Sequence, residues 1–157
     1  MTSKLHFPLR IPFVEELGFE LWRFEGGQAE LRVDLREGHL NSWEVAHGGV
    51  LMTMLDVAMA MAARSIHQHA SGGGPGVATI EMKTSFMRPA EGRLRAEGLL
   101  LDKTTTMAFT EGRVFNEAGQ LCAHATGTFK YLRGLPTGSH QAKALRRAPE
   151  PDQQEPE

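Results

Sequence analysis

Between His47 and Arg64 the chain reads HGGVLMTMLDVAMAMAAR, and inside those two ends only Thr53 and Asp56 are neither apolar nor glycine. The run from His47 to about Ile66 has no proline and no glycine after Gly49, which predicts one long helix. Its apolar residues fall on every side of a 3.6-residue wheel, so burial all round is expected. Upstream, Gly18–Phe24 reads as a strand, Gly26-Gly27 as a turn, and Gln28–Leu35 alternates Ala29, Leu31, Val33 and Leu35 against Glu30, Arg32 and Asp34. The two read as a hairpin. Residues 36–46 are polar and irregular, and the glycine-rich 72–76 closes the helical region. Downstream, strand character fills Val77–Phe86, Arg93–Asp102, Thr105–Phe115 and Gln120–Tyr131.

The order is two strands, one helix, four strands. A helix of about 19 residues is roughly 28 Å long and a strand of about 8 residues roughly 27 Å, so one sheet can wrap along the whole helix. The expected fold is α+β, a sheet around a buried central helix, over residues 1–132. Residues 133–157 hold four prolines and many charges with little apolar periodicity, and a disordered tail is expected there.

Composition narrows the function. At 157 residues, with 41% hydrophobic and 23% charged content, one domain with a sizeable core is expected. The net charge of −2 and the scattered Lys and Arg residues argue against nucleic acid as a partner. Cys122 is the single cysteine, so no disulfide framework or thiolate metal cluster is expected. No signal peptide is legible at the start, and the longest apolar run is shorter than a membrane span and carries Asp56. A soluble, cytoplasmic protein with no membrane partner is the expectation.

Asp56 is where chemistry is sought. A lone carboxylate among apolar neighbours is costly to desolvate and drifts to a higher pKa, so folds tend to keep one there for a task. The bland alternative is a structural acid paired with Arg64 or Arg88.

Asn41, then His47-Gly48-Gly49, then Asp56 eight residues after the first glycine, followed by VATIEMKTSFMRPA and GQLCAHATGTF, form a pattern spread over residues 11–132. That pattern resembles the hotdog-fold acyl-CoA thioesterases of the phenylacetic-acid-degradation branch. The resemblance implies a hotdog fold, hydrolysis of a thioester to free acid and CoA, and no metal or bound redox cofactor. It also implies a site at a dimer interface, with dimers that often pair into tetramers.

The implied chemistry fits the residues. Backbone N–H groups of Gly48 and Gly49 at the helix start would polarise the thioester carbonyl. Asp56 would act as general base on water or as nucleophile. Asn41 is a polar contact to the reaction centre or a turn cap. His47, beside the helix start, is a loop-fixing hydrogen-bonder or a base and is kept as a supporting residue of the catalytic set. Thr79 matches a position where related enzymes orient the attacking water by a hydroxyl, and it would substitute for the hydroxyl that one related branch carries where Ala60 stands here. Arg88, Lys130 and Arg133 are candidates to meet CoA phosphates, and the methionines at 52, 54, 59 and 61 are core filler or an adaptable acyl pocket.

Gly48 and Asp56 are roughly 12 Å apart along one straight helix, too far to serve one thioester carbon and its oxygen. A two-fold dimer with antiparallel helices would join the glycine end of one chain to the acid of the other. Two further readings stand behind hydrolysis. A dehydratase or hydratase would use a His–acid pair, for which His39 is the candidate, although GHLNSW lacks the Phe-Pro-Gly setting of such enzymes. A non-catalytic acyl-CoA-binding module is the other.

Overall fold

The computed structural model of the chain describes residues 3–136 and 142–149. Its elements run α1 (Pro12–Leu17), β1 (Glu20–Glu25), β2 (Gln28–Asp34), α2 (Gly48–Ser65), β3 (Gly76–Phe86), β4 (Arg93–Lys103), β5 (Met107–Phe115) and β6 (Leu121–Leu132). Six strands form one antiparallel sheet in the order β1-β2-β4-β5-β6-β3. The sheet curls around α2, which gives the expected α+β hotdog architecture.

Each element follows from local chemistry. Gly26 and Gly27 take positive φ values of 56° and 82°, the backbone a tight β1–β2 hairpin requires. In β2 and β5 every second side chain is buried, while the intervening Glu30, Arg32, Glu111 and Arg113 pair as ions on the opposite face. Leu21, Leu31, Met54, Met59, Leu94 and Phe129 are fully buried between sheet and helix. Each such side chain contributes about 1.5–3 kcal/mol by leaving water.

The helix lies unusually close to the sheet because a row of small residues crosses it. Ala29 faces Gly98, Gly98 faces Gly112, and Gly112 faces Ala125 in successive strand pairs. A Cβ on Gly98 would fall on the carbonyl of Ala58, and one on Gly112 would sit 3.0 Å from Leu55 and 3.1 Å from Met59. The two glycines thus form the trough into which α2 settles.

Two expectations need correction. Burial of α2 is not complete: twelve of its residues are buried, but Gly49 and Met52 are exposed and Gly48, Thr53, Asp56 and Ala60 are only partly covered. A single sheet wraps only part of a helix's circumference, and this stripe is the part left over. The second is α1, absent from the strand-and-helix reading. Pro12 starts it and Gly18, at φ 73°, ends it in the left-handed conformation.

Part of the C-terminal stretch expected to lack order is described. Leu135–Pro136 pairs with Ala142–Lys143, and Leu9 bridges Arg147, with the amide of Arg10 donating to the Arg146 carbonyl at 2.7 Å. Residues 137–141 and 150–157 of that stretch lie outside the described residues. Among the described residues no helix is long and apolar enough to cross a membrane.

Candidate active site

At the border of the uncovered stripe Asp56 reaches β3, and there the two elements exchange one short hydrogen bond. Thr79 Oγ1 donates to Asp56 Oδ1 at 2.6 Å. β3 is bulged at this point: Thr79 pairs with Phe129 and Glu81 with Thr128, leaving Ile80 as the extra residue. A bulge re-aims the side chains next to it. Asp56 has no ion-pair partner among the described residues. Arg88 instead donates to the carbonyl of Leu121 at 2.7 Å, and Arg64 to that of Pro75 at 3.1 Å. The structural-acid reading therefore finds neither of its two partners.

Burial pushes the Asp56 carboxyl above its usual range, and the Thr79 hydroxyl bond acts in the opposite, smaller sense. Ordinarily a desolvated carboxylate with one hydroxyl donor is a stronger base than one in water. Asp56 and Thr79 line a cavity of about 260 Å³ whose other walls include Ile11, Ala60, Met61, Val77 and Leu145. Ala60 is part of that wall, so Thr79 supplies the hydroxyl beside the acid.

The helix start is built by His47. Its Nδ1 accepts the amide of Gly49 at 2.8 Å, which makes it the N-cap. The Gly49 amide is thereby engaged within the chain, while that of Gly48 has no partner among the described residues. The ring of Phe86, at the end of β3, lies 3.4 Å from where a Gly48 Cβ would stand. Gly48 and Asp56 belong to one unbroken helix, so their separation is that of eight residues of helical rise.

Asn41 acts on its own loop. Its Oδ1 accepts the amides of Trp43 at 2.9 Å and Val45 at 3.4 Å, the geometry of an Asx turn. This holds Glu44 in the left-handed region at φ 60° and leaves Trp43 86% exposed. His39 is buried and bound at both ring nitrogens, to the Arg36 amide at 3.1 Å and the Leu17 carbonyl at 2.8 Å. It serves as the link between α1 and the loop before α2.

The three candidate phosphate-binding cations are not gathered at Asp56. Lys130 is exposed and follows Phe129, so it projects from the other face of the sheet. Arg133 lines a separate cavity of about 560 Å³ with His67, Lys103 and Tyr131. Arg88 lies in the loop after β3. Among the described residues no group of three or more His, Cys, Asp or Glu side chains is placed to hold a metal.

Two features at the Asp56 cavity were outside the sequence reading. One is its outer wall, where Leu9 and Leu145 meet from opposite ends of the chain, a contact that no local pattern announces. The other is the place of Arg64 in the wall of the same cavity, since the sequence offered that arginine only as an ion-pair partner for Asp56. An arginine closing an otherwise apolar helix was its signal.

The family model described as Thioesterase superfamily matches residues 44–123, from the loop before α2 into β6. The chain is 28% identical over 139 residues to a medium/long-chain acyl-CoA thioesterase, YigI, of Salmonella typhimurium, covering 78% of this chain and 87% of that protein. It superposes on a conserved protein of Pseudomonas aeruginosa with a TM-score of 0.72, at 28% identity and covering 80% of this chain and 97% of the other. A variant of the phenylacetic acid degradation protein PaaI from Thermus thermophilus gives a TM-score of 0.67 at 27% identity, covering 78% and 100%.

Proposed function

The chain belongs to the Thioesterase superfamily, and from that premise we propose that it hydrolyses an acyl-CoA, with Asp56 as the base, in the manner of the phenylacetic-acid-degradation branch. The observation that carries this reading is the 2.6 Å bond from Thr79 to Asp56 in a cavity of acyl-group size. A carboxylate fixed at one oxygen by a hydroxyl keeps its second oxygen for the proton of a water molecule. Burial raises its pKa and so strengthens it as a base. The water oxygen bonds to the thioester carbon as its proton passes to Asp56. Collapse of the tetrahedral intermediate breaks the C–S bond, and the sulfur leaves as CoA thiol with that proton.

The carbonyl oxygen needs donors, and the Gly48 amide is the one left open at the helix start. Because Gly48 is roughly 12 Å from Asp56 in its own chain, it serves the site of a second copy. An uncovered edge supports such pairing. β3 is an outer strand of 11 residues, and Ile80, Phe86, Met87 and Met52 stand exposed along it and the neighbouring helix stripe. An edge strand of this length presents a row of backbone groups that another strand can pair with. Two copies joined there would complete two composite sites, and no metal or redox group takes part.

The relative from Salmonella typhimurium points to medium or long acyl chains, and the PaaI protein to aryl-acetyl groups. A panel of both, read by release of free thiol, tests the reading. Thiol release with at least one class is expected. Silence across the panel, or conversion of an enoyl or hydroxyacyl thioester without thiol release, would replace hydrolysis with another activity.

A further inference from the structure

Arg64 lines the Asp56 cavity without pairing with Asp56. It lies two helical turns beyond Asp56 on α2 and is only 3% exposed. Its Nε ties the helix end to the loop before β3 through the Pro75 carbonyl. Its Nη1 is buried and has no hydrogen-bond partner among the described residues. No acidic side chain among the described residues forms an ion pair with it, and the charge nearest in effect is another cation, Arg147, held on the Gly74 carbonyl at 3.0 Å. Burial, and then Arg147, push the Arg64 guanidinium down to about 10, so it stays charged at neutral pH. A buried charge without a counter-charge is costly, so a group that pairs with it on binding gains what the fold alone forgoes.

What arrives must fit the cavity. Asp56 and Arg64 stand at two points of its wall, separated by roughly 12 Å of helical rise, with Ile11, Met61, Val77 and Leu145 on the apolar surface. Arg10 and Arg146 also line it, but Arg10 is neutralised by Glu15 at 2.7 and 3.1 Å and Arg146 is solvent-exposed beside the same Glu15, so Arg64 is the buried cation of the wall. An occupant with its thioester at Asp56 therefore runs a hydrocarbon stretch along apolar walls and ends at an unpaired guanidinium. On the reading of the site as a thioesterase, we propose that Arg64 receives the distal carboxylate of the acyl group, and that the preferred substrates are CoA thioesters of dicarboxylic acids. The guanidinium's planar fork suits a carboxylate, and Nη1 is the donor left open to it.

The test compares two thioesters with the same number of carbons, adipyl-CoA and hexanoyl-CoA. Their affinities are measured by calorimetry on Asp56→Asn protein, which holds them uncleaved. Adipyl-CoA is expected to bind about tenfold or more tightly, the effect of a charge-assisted hydrogen bond in a buried site. Adding Arg64→Met should bring the ratio to about one, and Arg64→Lys should keep part of it. Equal affinities in the Asp56→Asn protein overturn the proposal, as does a ratio that Arg64→Met leaves intact. An Arg64→Met change that weakens both thioesters and free CoA alike assigns the guanidinium to a phosphate and also overturns it. Should Arg64→Met fail to fold, the ratio in Asp56→Asn protein and its change in Arg64→Lys decide. Thiol release by wild-type protein keeps the two readings apart: cleavage of both thioesters with equal affinity removes only the dicarboxylate inference, whereas a clear binding preference without cleavage removes only hydrolysis.

Discussion

Thr79 Oγ1 lies 2.6 Å from Asp56 Oδ1, joining the bulged edge strand to the middle of the buried helix. The bond stabilises the ionised carboxyl against the cost of its burial. Removing it leaves the cost alone. Thr79→Ala should therefore move the acid limb of the kcat/KM profile to higher pH and lower the rate at neutral pH by about tenfold, while Thr79→Ser stays near wild type. A limb that does not move would show the hydroxyl to be structural only.

Asp56 should also weaken the fold at the pH where it works. Its folded pKa is raised above the unfolded value by burial. Its favourable contribution is therefore full below the unfolded pKa and is lost as pH rises through the folded one. At neutral pH Asp56→Asn should melt a few degrees above wild type, and the gap should close as pH falls toward the unfolded carboxylate range. A wild-type protein more stable than the variant at neutral pH would contradict this.

The trough beneath α2 makes a prediction about stability alone. Gly98→Ala places a methyl on the Ala58 carbonyl, backbone against backbone, and α2 has to lift from the sheet. A loss of about 3 kcal/mol or more is expected in chemical denaturation. Ala substituted for Gly119, which has nothing within 4 Å of its Cβ position but sits at φ 78°, should cost less, through backbone strain alone.

Much of this was legible in the chain, for physical reasons. The helix from His47 was readable because an apolar run without proline has few alternatives. β2 and β5 were readable because one face of each is dry and the other wet. Asp56 stood out by isolation, but its bond to Thr79 did not, because motif similarity offered that hydroxyl only as one that orients the attacking water. The exposed stripe on α2 was hidden, because a wheel apolar on all sides gives no sign of where the sheet stops. Asn41 presents an Asx turn, a choice between two roles that composition could not make. The cavity wall at Leu9 and Leu145 depends on contact between distant ends of the chain.

Shared sites can be tested by mixing. Gly48→Val, whose side chain would press on the Phe86 ring, should inactivate by blocking the carbonyl site, and Asp56→Asn by removing the base. Refolded together, mixed dimers hold one intact site of two, so random pairing should restore about a quarter of wild-type activity. With subunit exchange confirmed by a tag, no recovery would mean that each site draws on one chain.

The most direct measurement is thiol release by the Asp56→Asn protein. On an acyl-CoA that wild-type protein cleaves, and with folding and thioester affinity shown to be retained, kcat should fall by roughly two to four powers of ten. Turnover near the wild-type rate in that folded, substrate-binding variant would contradict the assignment of Asp56 as the base.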